Sequence, residues 1–481
     1  MSRDEWQRPP VKILLRVQRM ERALVRARQT HPEAIAEGDY QRLRYVLALA
    51  RLDRFAPLDE RGRHGDEVTV DPTVVGPFRG RVFHALFEAL RNERNTRQRI
   101  EAAAAAAPDL AAAAAKTRKR LLERHHNEFS AASLDAELAR KAFTIVAGGG
   151  GGAGYVYVGA LARLQAAGLR PDYIVGSSIG ALVGAFTAAD PQGEAQDYLA
   201  FAQSLKNRDV FSRPGRSAGH TLPGLVRLHL AAMHRRLDRD GAPLRMADLP
   251  IPFDAVVGGL RRRVYERMPA PMAIHRLKSG RGRSFSDRLA ERMWQLTSFL
   301  GPNLVKEVVF GREPGTEETA VVDAVGLSAA IPGILQYVPQ APDKRSEKTI
   351  RDLREHYDLA ALVDGAVANN VPARTAWYGV HEGRIGTRNA FYMAWDCFLP
   401  QADPRHWWLW PVSRLVQLQM PGNRPYFDWL VRFDRTLSPV NLLPQADEMV
   451  RAFEWGWEEM DWHLPFVQAM LAPVEWHPER T

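Results

Sequence analysis

Over the first 138 residues apolar positions recur at helical spacing. In Val11–Arg28, Ile13, Val17, Met20 and Leu24 fall on one stripe, with arginines elsewhere. Such a stripe either packs on the body of a protein or lies as a basic amphipathic helix on anionic lipid. Gln41–Phe55 and Phe83–Arg99 also read as helices, separated by a loop rich in charge and turn residues at Pro57–Pro77. Ala102–Ala107 and Ala111–Ala115 flank Pro108-Asp109, which predicts two helical arms, the second opening near Pro108. Lys116–His126 (KTRKRLLERHH) reads as a solvated helix face. Residues 1–138 are thus expected to form a helical N-terminal domain or arm.

From residue 139 the pattern changes. Phe143–Ala147 is a short apolar run of β-forming residues that breaks into five glycines, Gly148–Gly152. A helical segment, Tyr155–Ala167, stops at Gly168, and Tyr173–Val175 is a second apolar strand. It runs into Gly176-Ser177-Ser178-Ile179-Gly180, after which small residues continue as a helix to Ala189. A parallel β-α-β unit of this kind is right-handed, and ligands bind beyond the carboxyl ends of its strands. The glycine loop and Ser178 are therefore expected side by side.

Further on, Gly193–Lys206 and Leu225–Arg236 read as helices, and Thr319–Val325, Leu359–Val363 and Asn389–Trp395 as strands. The intervening Arg261–Pro314 is rich in arginine, glycine and serine, loosest at Ser279–Ser284, and reads either as a lid or as an insertion without chemical role. Beyond Phe398 the chain turns aromatic, with Trp407, Trp408, Trp410, Trp429, Trp455, Trp457 and Trp462. We read 139–400 as the domain carrying the chemistry and 401–481 as a helical, aromatic-rich extension packed on it.

Composition changes this picture little. A chain of 481 residues, 46% hydrophobic and 25% charged, can bury a large core in two or three domains. One cysteine, Cys397, precludes an internal disulfide and suits a reducing, cytoplasmic compartment. The N-terminus lacks the apolar core of a secretory signal. Ala142–Ala162 holds no charge over 21 residues, but seven of them are glycine, which suits a membrane span poorly. The net charge of +9 is compatible with peripheral contact to an anionic membrane surface. Residues 1–140 hold 26 Lys and Arg against 20 Asp and Glu. Without aromatic interleaving or motif spacing, this charge does not read as a nucleic-acid interface.

The candidate chemistry centres on Ser178. A sharp strand-to-helix turn lifts a serine hydroxyl clear of a sheet, and flanking glycines leave room for the bend. The helix beginning at Ile179 aims free N–H groups and a positive dipole end at the same spot. The bare amides of Gly149, Gly150 and Gly151 add further donors for an oxyanion, each typically worth ~2.7–4 kcal/mol in a transition state. Asp364 follows an apolar strand and precedes Gly365, where it either caps the next segment or reaches toward Ser178.

The glycine loop, then GSSIG, then Asp364-Gly365-Ala366 with Asn370-Val371-Pro372, resembles the patatin-like phospholipases. Ser328-Ala329-Ala330-Ile331-Pro332 and Leu249-Pro250-Ile251-Pro252 before Ala255-Val256-Val257 are similar to further motifs of that family, over roughly residues 141–400. The resemblance implies a three-layer α/β/α fold with a mainly parallel central sheet. It also implies lipid acyl hydrolysis by a Ser–Asp dyad, Ser178 as nucleophile and Asp364 as general base, without metal or cofactor. The substrate would be a phospholipid or other acyl-ester lipid. Asn370 and Pro372 would shape the loop after Asp364. Where the family commonly carries Arg or Lys before the last glycine of its loop, this chain has Ala153.

Other chemistries stand beside this one. A Ser-His-Asp triad would need a histidine after the acid, from His381, His406, His463 or His477, none of which has a distinguishing context. Gly149, Gly151 and Gly154 fit a dinucleotide pattern, but Asp172 precedes the second strand instead of ending it, and no Gly-Lys-Ser/Thr closes a P-loop. A catalytically weak scaffold of the same fold, binding lipid or protein, is the alternative that Ala153 favours.

Overall fold

The structure, a computed structural model, describes residues 11–59, 63–91, 97–214, 219–239, 241–266, 304–338, 343–399 and 410–478. The stretch Ser279–Ser284 and Trp407, Trp408 and His406 lie outside the described residues. The chain divides into two compact units: 1–143 with 377–392 and 463–481, and 144–376 with 393–462.

The first unit is helical. Val11–Thr30, Glu37–Arg51, Pro72–Leu90, Arg97–Ala105, Ala107–Arg124 and Ala131–Ala139 make up its N-terminal part. The stripe Ile13, Val17, Met20 and Leu24 is at most 2% exposed, and Leu14, Ala23, Val25 and Ala27 are buried too. That stripe is core, with no apolar face left for lipid. The expected loop at Pro57–Pro77 is shorter, because Pro72 opens a helix capped by Asp71. The face read as solvated is partly structural: Arg118 forks onto Asp135 at 2.7 and 2.8 Å, and buried His125 stacks on Phe129. A buried ionic cluster lies within the same unit. Lys141 Nζ reaches Glu21 Oε2 at 2.8 Å and Asn389 Oδ1 at 2.6 Å, with Arg51 3.4 Å from the same carboxylate. Burial alone would raise Glu21, but Lys141, Arg44 and Arg51 outweigh it and hold the carboxyl below its usual range.

A seven-stranded mixed sheet organises the second unit and carries the three-layer α/β architecture. Its strands are β1 (Ala142–Ala147), β2 (Tyr173–Ser177), β3 (Phe253–Arg261), β4 (Val305–Phe310), β5 (Leu359–Val363), β6 (Ala390–Asp396) and β7 (Trp429–Arg432). The order is β4-β3-β2-β1-β6-β7, with β5 also on β3. β1, β2 and β3 are parallel, in register through Ile145–Ile174 and Ile174–Phe253. β4 and β5 run antiparallel to β3. Near-continuous burial of β1, β2 and β3 is what strands covered on both faces require.

Between β1 and β2 runs α1 (Val156–Ala166), and after β2 comes α2 (Ile179–Ala189). Ala181, Ala185 and Ala188 of α2 pack with Val321 and Val325 of α3 (Val321–Ser328) over Phe253, Val257 and Phe310. The segment Thr319–Val325, expected as a strand, is thus mostly helix. Its valines mimic a strand pattern, but they are buried on all sides between sheet and neighbouring helix, and tertiary packing overrides their preference. Leu225–Arg236, expected as one helix, is a strand, Val226–Leu228, followed by a helix, Ala231–Leu237. Val226–Leu228 pairs with Phe211–Ser212 and Leu335–Tyr337 in a small three-stranded sheet. On the other face of the main sheet, Tyr157 of α1 packs against Trp395 and Phe433.

Candidate active site

Ser178 sits at the β2–α2 turn with φ 53° and ψ −122°, a left-handed conformation that L residues adopt only when the surroundings impose it. The surroundings are specific. Its N–H donates to Ser328 Oγ (2.9 Å), and Ser328 Oγ in turn donates to Val256 O (2.6 Å), tying the turn to α3 and β3. Its carbonyl accepts from Ala181 and Leu182 and opens α2. Glycine is required on both sides: a Cβ on Gly176 would lie 2.6 Å from the Ala181 backbone, and one on Gly180 would meet the carbonyls of Ala147 and Gly148.

Asp364 reaches Ser178 by a route the sequence did not suggest. Its strand is not a parallel neighbour of β2. β2 pairs with the first half of β3, ending at Ser177 opposite Val256, while β5 pairs antiparallel with the second half, ending at Val363 opposite Gly258. The two strands point at each other along β3, and their next residues are Ser178 and Asp364. Ser178 Oγ donates to Asp364 Oδ2 at 2.6 Å. The other oxygen, Oδ1, accepts from Ala366 N at 2.8 Å and caps the short helix α4 (Gly365–Asn369). Capping and reaching toward Ser178, alternatives in the sequence, are both met by one carboxylate. Asp364 N donates to Ala330 O at 2.9 Å, so the Ser-Ala-Ala-Ile-Pro segment touches both residues. Ser178 is 4% exposed and Asp364 3%. Burial raises the Asp364 pKa to about 7, against the lowering effect of hydrogen bonds from Ser178 and Ala366.

The glycine loop approaches from β1 and turns through a short 3₁₀ segment, Gly151–Tyr155. Its amides are not equivalent. Gly149 N–H donates to Asn370, to the side-chain oxygen at 3.1 Å and the carbonyl at 3.3 Å, so Gly149 is occupied. The amides of Gly150 and Gly151 form no hydrogen bond with any described residue, nor does that of Ile179 at the first position of α2. Asn370 N–H is in turn held by Gln419 Oε1 (2.6 Å), whose Nε2 spans Ala366 O and Val367 O. Gln419 and Ser328 are site-building residues that the sequence reading missed. Gln419 lies in a segment with no motif, whereas Ser328 opens the Ser-Ala-Ala-Ile-Pro motif, whose sequence alone does not show a bond to the turn. Ala153 is fully buried.

Ser178 and Asp364 face a cavity of about 610 Å³, lined also by Gly150 and Gly151 and walled by apolar residues such as Phe211, Ile331, Leu335, Phe398 and Leu442. A second lobe of about 160 Å³ also meets Ser178 and extends past Ile179 toward Leu182, Phe186 and Met233. No histidine lines either lobe among the described residues, and Ser178 Oγ donates to the Asp364 carboxylate itself. Among the described residues no group of three or more His, Cys, Asp or Glu is placed to hold a metal ion.

A serine hydroxyl bonded to a buried carboxylate, with free amides beside it and an apolar cavity in front, is an arrangement that can support attack on an acyl ester. In comparison with known families, residues 145–377 match the model of the patatin-like phospholipases. This stretch carries the match to the patatin-like phospholipases, and the match supports a lipid hydrolase in general. No curated protein matches the chain. No helix among the described residues is long and apolar enough to cross a membrane, and Ala142–Ala162 is strand, turn and helix in succession.

Proposed function

We propose that the protein is a serine lipid acyl hydrolase of phospholipase A or lysophospholipase type, working through Ser178 and Asp364. The observation that carries this reading is the 2.6 Å bond from Ser178 Oγ to a buried carboxylate that opens on an apolar cavity. Asp364 Oδ2 takes the hydroxyl proton as Oγ attacks the ester carbonyl. The developing oxyanion lies among the amides of Gly150, Gly151 and Ile179, with Asn370 holding the loop through Gly149. The proton passes to the leaving alcohol, water attacks the acyl-enzyme with Asp364 again as base, and Ser178 is released. A carboxylate with a pKa near 7 is matched to both halves of this cycle at neutral pH.

The alternative, a catalytically weak scaffold, draws on Ala153, which supplies no cation to the oxyanion loop. Hydrolysis of a short-chain nitrophenyl ester separates the two. We expect turnover by the wild type and a loss of more than about a thousandfold in Ser178→Ala. Wild-type turnover no faster than that of Ser178→Ala would favour the scaffold.

A further inference from the structure

Away from Ser178, Asp364 and the glycine loop, the larger lobe is polar at one place. Asn207, Arg208, Ser212 and Arg213 line it beside Phe211, and Arg208 and Arg213 are exposed at its mouth. Elsewhere in this unit Arg245 is engaged by Asp343 and Arg163 by Asp461. Arg208 and Arg213 form no ion pair or side-chain hydrogen bond with any described residue. The backbone beneath them is nonetheless fixed: Arg208 O accepts from His229 Nε2 at 3.1 Å, and Phe211–Ser212 is paired to Val226–Leu228. Among the described residues lining this lobe, the sole acid is Asp364, which is buried and engaged by Ser178.

We infer that Arg208 and Arg213 select substrates whose polar end is a net-anionic, phosphate-bearing head group. This inference rests on the reading of Ser178 as the nucleophile. An acyl ester seated at Ser178 with its chain among the apolar walls leaves its polar end toward the mouth, where two guanidinium groups present paired N–H donors that match phosphate oxygens. A zwitterionic choline head group gains less. Its quaternary ammonium meets two cations and, among the described lining residues, neither a free carboxylate nor a cage of aromatic rings. The discrimination is therefore built from attraction of the phosphate and repulsion of a second, positive charge.

The test compares kcat/KM for lysophosphatidylglycerol and lysophosphatidylcholine of the same chain, both kept monomeric, in the full-length protein. We expect the wild type to favour the anionic lipid by about five- to tenfold at low salt, the preference shrinking as salt screens it. The ratio should fall to about one in Arg208→Gln/Arg213→Gln and invert in Arg208→Glu/Arg213→Glu, chiefly through KM. Parallel assays on phosphatidylglycerol and phosphatidylcholine vesicles separate head-group recognition from attraction to a charged surface. A preference on vesicles but not on monomers overturns the inference, as does a wild-type ratio of one or a ratio unmoved in both double variants. If the wild type hydrolyses neither monomeric lipid nor a nitrophenyl ester, it is the underlying reading of Ser178 that fails.

Discussion

At the scale of single residues, the proposed chemistry depends on a carboxyl group kept in an unfavourable place. Asp364 is buried and its nearest charge partner is a neutral hydroxyl, so its pKa rises to about 7. The proposed cycle needs the carboxylate, and so kcat/KM should rise with pH and reach half its plateau near pH 7. A plateau already complete at pH 5 would contradict this. Stability runs the other way. With its folded pKa above the unfolded value, Asp364 contributes stability fully present below about pH 4 and lost as pH rises through about 7. Asp364→Asn is fixed in the neutral form, so its melting temperature should exceed the wild type's by more at pH 8 than at pH 5, while ester hydrolysis is lost. The contact between Ser178 and Asp364 was legible from the sequence because each comes at the end of an apolar strand with a glycine within two residues. The division of labour among the loop amides was not legible. Nothing in five consecutive glycines shows that Asn370 occupies Gly149 and leaves Gly150 and Gly151 free.

At the scale of elements, the β1-α1-β2-α2 unit followed from its pattern, because buried parallel strands and small-residue helices leave little freedom. The antiparallel course of β5 did not follow, since an apolar pentapeptide such as Leu359–Val363 carries no sign of its direction. That direction makes the site: two strands end head to head on β3, Ser177 opposite Val256 and Val363 opposite Gly258, so that the next residues, Ser178 and Asp364, meet. The same ambiguity explains Thr319–Val325, where valines buried all round read equally as strand or helix. The tight joint between α2 and the glycine loop gives a test at this scale. A methyl group at Gly180 would meet the carbonyls of Ala147 and Gly148, backbone that cannot swing aside. Gly180→Ala should therefore destabilise by about 1–3 kcal/mol, read as a lower urea midpoint, and reduce activity further by displacing α2 from Ser178. An unchanged midpoint would mean the turn is looser than described.

For the molecule as a whole, the sequence divided the chain by composition, at 138/139 and 400/401. The compact units are assembled from separated stretches, with 377–392 and 463–481 joining the N-terminal helices. Composition cannot show this, because the joining is done by single buried contacts, such as Arg44 donating to the carbonyls of Met470 and Ala472. The ionic cluster around Glu21 is a second contact of this kind. Lys141→Met would leave a buried carboxylate short of its closest cation and should cost about 3–5 kcal/mol, measured by urea denaturation of the full chain. A loss below about 1 kcal/mol would show that Arg44 and Arg51 suffice.

The most direct test of the central claim is to treat the wild-type protein with a fluorophosphonate and map the adduct by mass spectrometry. We expect one adduct, on Ser178, and none in Ser178→Ala. An adduct on another residue, equal labelling of Ser178→Ala, or no labelling of the wild type would contradict a nucleophile at this turn.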